Sequence, residues 1–107
     1  MEPKDIDQEE LDELAGKKEF IRQLSEPIAT FIPQVAGLEF EAFIPKGRDY
    51  IQEYLIVHFR GGAIAARTCN INSNLGNLIE VATLVRGGHY DEVDTYRRLK
   101  ENSIKIV

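Results

Sequence analysis

Residues 54–69 read YLIVHFRGGAIAARTC, and the pairing of that stretch decides the fold. Two runs rich in β-branched, aromatic and small apolar residues flank Gly61-Gly62, a strong local hairpin signal. With Gly61-Gly62 as a two-residue loop, Phe59 pairs with Ile64, Val57 with Ala66 and Leu55 with Thr68 on one face. The other face then carries His58 opposite Ala65, Ile56 opposite Arg67 and Tyr54 opposite Cys69. The first face must pack on helices. The second, with Phe43 added from the preceding strand, is more apolar than a plain solvent face requires.

Upstream, Leu38 to Ile44 alternates, with Leu38, Phe40, Ala42 and Ile44 on one side and Glu39 and Glu41 on the other. Pro45 to Asp49 is a turn-rich connection to a strand-like run, Tyr50 to Phe59. Before that, Phe20, Ile21, Leu24, Ile28, Phe31 and Ile32 recur at helical spacing. Pro27 should kink that helix or restart it, and Pro33 should stop it. Asp7-Gln-Glu-Glu10 reads as a capping box, and Gly16 either ends a short first helix or lies inside a longer one.

Downstream, Ser73 or Asn74 can cap a helix whose buried stripe is Leu75, Leu78, Ile79, Ala82 and Val85, closed by Gly87-Gly88. Asp91 caps a last helix, with Glu92 and Asp94 in its first turn and Arg97, Arg98 and Lys100 near its end. Ser103 to Val107 alternates weakly, as a short edge strand or a frayed tail. The order α-β-β-β-α-α predicts one α+β domain over residues 1–107. It is a three-stranded antiparallel meander covered on one face by an N-terminal helix and two C-terminal helices.

The chain has 107 residues, with 13 Lys+Arg against 18 Asp+Glu and a net charge of −5. Residues 1–16 hold seven acids and one base, net −6, so eleven acids and twelve bases remain for the other residues, net +1. This acidic segment, flexible or a short separate helix, reads either as a solvated face or as an arm docking on a basic partner. No basic stripe exists to release counterions, which disfavours direct nucleic-acid binding. No apolar run is long enough to span a membrane. The acidic N-terminus is unlike a signal peptide, and the lone Cys69 fits a reducing, cytoplasmic setting.

No catalytic or cofactor motif stands out, and no catalytic residue, cofactor or metal site is expected. Cys69 and His58 share a face in the expected register but lie about 13 Å apart along the strands, at about 3.3 Å per residue. His58, Cys69 and His89 lack ligand spacing. Asp91, Glu92 and Asp94 lack the glycine and distal glutamate of a calcium loop. Arg67, in mid-strand, either pairs with an acid such as Glu39 or Glu41 or meets a partner. The remaining signal is the outer sheet face of Tyr54, Ile56, His58 and Arg67, of the aromatic and arginine-bearing kind that interfaces favour. That face is either covered by a terminal segment or open to a partner.

The stretch from Tyr54 to Gly62, a second strand, a polar helix start, and then Leu84 to Tyr96 with its Gly-Gly-His-Tyr-Asp junction resemble the small phage-borne anti-CRISPR inhibitors of the type II effector nuclease. The resemblance implies a non-enzymatic, acidic inhibitor of the order α-β-β-β-α-α that occupies the nuclease's basic DNA-binding cleft by imitating DNA. Here the acids cluster at the N-terminus, and the strand after Gly62 is Ala-Ile-Ala-Ala-Arg where the family's is acidic. The expected function is a non-catalytic interaction module binding a basic nucleic-acid-binding protein. Tyr54, Ile56, His58, Arg67, Asp91, Glu92 and Asp94 are its expected contacts. The alternatives are a homodimer through the outer sheet face, or an enzyme or sensor with a pocket at His58, Arg67 and Cys69.

Overall fold

Asp7 starts the first helix by accepting the Glu10 N–H at 2.8 Å, as the capping-box reading expects. Helix α1 then runs unbroken from Gln8 to Phe31. The computed structural model describes residues 6–69, 73–87 and 91–107. Gly16 lies inside α1, so residues 8–16 of the acidic segment are its first turns. Pro27 also lies inside it, and the helix neither stops nor restarts there. The apolar side chains before and after Pro27, Leu24 and Ile28, both pack on the core and hold the helix across the missing hydrogen bond. Phe31, expected in the stripe, is 82% exposed, and the core contact passes to Ile32.

Strands β1 (Val35–Ile44), β2 (Gln52–Phe59), β3 (Ile64–Thr68) and β4 (Ile104–Lys105) form one antiparallel sheet in the order β3-β2-β1-β4. The C-terminal segment is thus a fourth strand on the β1 edge. At Gly37 a side chain would press on Ser25, whose Oγ accepts the Leu38 N–H at 2.9 Å, so glycine allows α1 to approach β1 closely.

The hairpin differs from expectation by one residue. Tyr54 pairs with Thr68, Leu55 with Arg67, Ile56 with Ala66, Val57 with Ala65 and His58 with Ile64. The loop holds Arg60 as well as the two glycines, closed by Gly62 N–H to Phe59 C=O at 3.2 Å and Phe59 N–H to Ala63 C=O at 2.9 Å. Gly61 and Gly62 have φ of 98° and 102°, which only glycine takes without strain. Arg60 leaves the strand because α1 needs it. Its Nε donates to Pro33 C=O at 2.8 Å and its Nη2 to Ala29 C=O at 3.3 Å, satisfying carbonyls at the helix end. Arg60→Ala should cost about 1–2 kcal/mol, two partly exposed charged hydrogen bonds, read as a lower urea midpoint at unchanged slope.

A one-residue slip turns every side chain of one strand over relative to its partner. Leu55, Val57, Ala65, Arg67 and Cys69 therefore share the face that α1 and α2 (Asn74–Arg86) cover, with Leu38, Phe40 and Ala42 from β1. Ile21, Val81 and Leu84 pack there from the helices. Helix α3 (Val93–Lys100) lies on the opposite face, so both sides of the sheet are covered rather than one.

Candidate functional site

The centre of the outer sheet face is covered. Tyr96 of α3 packs edge-on against Tyr54 at 5.2 Å and Phe43 at 6.3 Å between ring centres, while Phe43 stacks on Tyr54 at 6.1 Å. Tyr54 and Ile56 are buried beneath α3 and offer no surface. Burial, with the nearby Glu92 charge second, pushes the Tyr54 phenol above its ordinary pKa. Tyr96 also donates its OH to the buried Glu41 carboxylate, and Lys100 Nζ reaches the same carboxylate at 2.6 Å. Burial, then the bond to Glu41, pushes the Tyr96 phenol up to about 12. Burial opposes the Lys100 charge, but its bonds to Glu41 and Tyr96 outweigh that and hold its pKa up at about 12. Both groups hold their protons well above neutral pH, and their bonds to Glu41 brace α3 on the sheet.

The other expected contacts are scattered. His58 Nε2 lies 2.9 Å from Glu39 Oε1 in a half-exposed pair. Arg67 is on the far face from His58 and pairs with Glu80 of α2 at 3.0 Å, not with Glu39 or Glu41. Asp91 and Glu92 bind the free edge of β3. Asp91 Oδ1 accepts the Ala66 and Val93 N–H groups, each at 3.0 Å, and Glu92 Oε1 accepts the Thr68 N–H at 3.0 Å. The Glu92 N–H in turn donates to Ala66 C=O at 2.6 Å. Carboxylates thus cap an edge that would otherwise template pairing with another strand. Asp94 is exposed in the first turn of α3.

Cys69 is buried, donates to Asn77 Oδ1 at 3.0 Å, and burial pushes its thiol up to about 11. It faces α2, so His58, Arg67 and Cys69 line no common pocket. His89 lies outside the described residues. Among the described residues no three His, Cys, Asp or Glu side chains group as metal ligands. Nor is any helix among them long and apolar enough to cross a membrane.

The surface that sequence reasoning missed is on α2. Its buried side is Gly76, Asn77, Val81 and Leu84; of the expected stripe only Val85 packs on the core. Leu75, Leu78 and Ile79 are 69%, 38% and 57% exposed, and Ala82 is exposed with them. Their spacing, i, i+3, i+4 and i+7, makes one ridge. Two polar contacts to β3 and the residue after it set the helix rotation: Asn77 takes the Cys69 S–H and Glu80 takes Arg67. A signal was present, since α2 is apolar around most of its circumference and one face must stay outside.

On another side of α2, away from this ridge, a groove separates the helix from α1. Glu13, Gly16, Lys17 and Phe20 on one side, with Asn74 and Asn77 on the other, line about 350 Å³. Glu9, Asp12 and Glu13 are exposed at i, i+3 and i+4, so the outer side of α1 carries an acidic strip, while the α2 side of the groove is polar. Glu19, further along, is held down to about 2 by its hydrogen bond from Arg22. An α+β domain with an exposed aliphatic ridge on α2 and an acidic strip on α1 is what the fold and surface define. No family model, curated protein or solved structure matches the chain.

Proposed function

We propose that this chain is a non-catalytic protein-interaction module whose partner presents a basic surface, and that it acts in the cytoplasm. The observation that carries the reading is the exposed aliphatic ridge of Leu75, Leu78 and Ile79 on α2, on a chain whose α1 also exposes the acids Glu9, Asp12 and Glu13. A desolvated apolar centre with a charged rim is how interfaces divide affinity from on-rate. For an inhibitor of the anti-CRISPR kind, which the resemblance implies, the exposed acids of α1 and Asp94 would meet the basic cleft, because Asp91 and Glu92 are committed to β3. The alternative, a homodimer through the outer sheet face, has less to support it, because α3 packs over Tyr54 and Ile56.

The test is site-specific photo-cross-linking in lysate, with a photoreactive residue replacing Ile79 and, as control, Glu26. Position 79 should give a saturable adduct that unlabelled chain competes away and the Leu75→Lys/Ile79→Lys variant does not. Identical adducts from both positions would overturn the reading.

A further inference from the structure

We infer that the cleft between α1 and α2 is a binding site for the N-terminal residue of a peptide chain, with its first carbonyl at Asn77, its α-ammonium at Glu13 and an apolar side chain against Phe20. The site lies apart from the α2 ridge. That the peptide belongs to a partner protein rests on the interaction-module reading above.

Three features meet in this cleft. Asn77 is 1% exposed, lines the cleft, and commits its Oδ1 to the Cys69 S–H. Its Nδ2 meets no acceptor among the described residues. A buried amide donor is unfavourable unless something accepts from it. Lys17, on the α1 side, donates to Glu53 and to Cys69 C=O, which leaves one of the three ammonium N–H groups unused. These two side chains make the inner end a place for an acceptor oxygen. The third feature is Gly16, which lies inside α1 with ordinary helical backbone and lines the same cleft. A Cβ there would meet nothing within 4 Å. Neither packing nor conformation calls for glycine, which weakens a helix interior more than any residue but proline. What the missing side chain leaves is room in the cleft.

Charge sorts the ligand. Lys17 is already matched by Glu53, and Glu13 adds a second carboxylate, so two anions stand against one cation. A ligand carboxylate would face both, whereas a neutral carbonyl takes the donors without like-charge repulsion. The exposed Glu13 then suits a cation, and Phe20 supplies an apolar wall. A protonated amine next to an amide carbonyl is the first residue of a peptide, and capture of a terminal amine is a recurring mode of recognition. The volume of about 350 Å³ has room for one residue, not for a helix.

The experiment titrates the isotope-labelled full chain with leucinamide, which carries both groups, and with three relatives. N-acetyl-leucinamide lacks the cation, isoamylamine lacks the carbonyl, and leucine replaces the amide by a carboxylate. Leucinamide should move the side-chain amide signals of Asn77 and the backbone signals from Glu13 to Phe20. Each relative should bind at least tenfold more weakly. Leucyl-glycyl-glycinamide should bind at least as tightly as leucinamide, and acetylating its N-terminus should abolish binding. Glu13→Gln should cost leucinamide about tenfold. Gly16→Leu should abolish the shifts yet raise the urea midpoint, because it fills the cleft and improves the helix.

Any relative binding as tightly as leucinamide, shifts elsewhere on the chain, or no shift at all each overturns the inference. So does binding that survives Gly16→Leu, or a Gly16→Leu chain that fails to fold, since the space would then not be open. Loss of binding on extension to the tripeptide would make the ligand a free amino amide and overturn its assignment to a chain end. If leucinamide fails while position 79 still gives its specific adduct, this site falls and the interaction-module reading stands. If leucinamide binds while positions 79 and 26 give identical adducts, that reading falls and the site stands.

Discussion

Tyr96→Ala should destabilise the protein by about 3–5 kcal/mol, the cost of emptying a buried aromatic site. The ring touches both Phe43 and Tyr54, so the cavity opens at the centre of the face that α3 covers. The same substitution removes a hydrogen-bond donor from Glu41, which is 5% exposed and still receives Lys100. Domains of this size have about 5–15 kcal/mol in total, so the variant should be close to unfolded at physiological temperature. Tyr96→Phe separates the contributions: it keeps the ring contacts and loses only the bond to the carboxylate, about 1.5–3 kcal/mol. Urea unfolding of the parent and both variants reads the difference. A cost for Tyr96→Ala below about 1 kcal/mol would mean that α3 does not seal the sheet.

The same cluster sets the alkaline limit. Tyr96 and Lys100 hold their protons more tightly when folded, at about 12, than at their ordinary values of 10.0 and 10.5. Their contribution is therefore complete below about pH 10 and is lost as pH rises from there through about 12. Stability measured against pH should bend downward in that window, and the bend should shrink in Tyr96→Phe. An identical alkaline profile for parent and variant would show that this phenol is not the group responsible.

What was legible in the sequence was local. Asp7 as cap, the Gly61-Gly62 turn and Gly87 as C-cap each depend on a few neighbouring residues, and each is found. The α+β class and the order of the first six elements follow from the same short-range patterns. What was not legible depended on contacts between distant segments. The hairpin register turned on Arg60, which leaves its strand to close α1 some thirty residues earlier, a choice no pattern within the hairpin encodes. That single residue moved Arg67 and Cys69 from the face of His58 to the face of α2. Once there, they fixed the rotation of α2 through Glu80 and Asn77 and pushed Leu75, Leu78 and Ile79 outward. The expected site on the sheet and the observed ridge on α2 are thus two consequences of one register. The alternation in β2 was read correctly, and the strand opposite it was displaced by one.

Lys17→Met should cost about 3–5 kcal/mol, whereas Lys17→Met with Glu53→Leu should lie within about 1 kcal/mol of the parent or above it. Lys17 is 8% exposed and donates to Glu53 at 2.5 Å and to Cys69 C=O at 3.3 Å, with its ammonium 5.9 Å from the Phe40 ring centre. Removing the cation alone leaves the Glu53 carboxylate in a site with little water to solvate it. Removing both charges trades a desolvated pair for methyl and thioether contact against Phe40 and the core around Leu55. The measurement is a double-mutant cycle by urea unfolding, and its coupling term reports how much of the single-variant cost is the stranded charge. Additive losses would mean that the site is open enough for water to replace the partner.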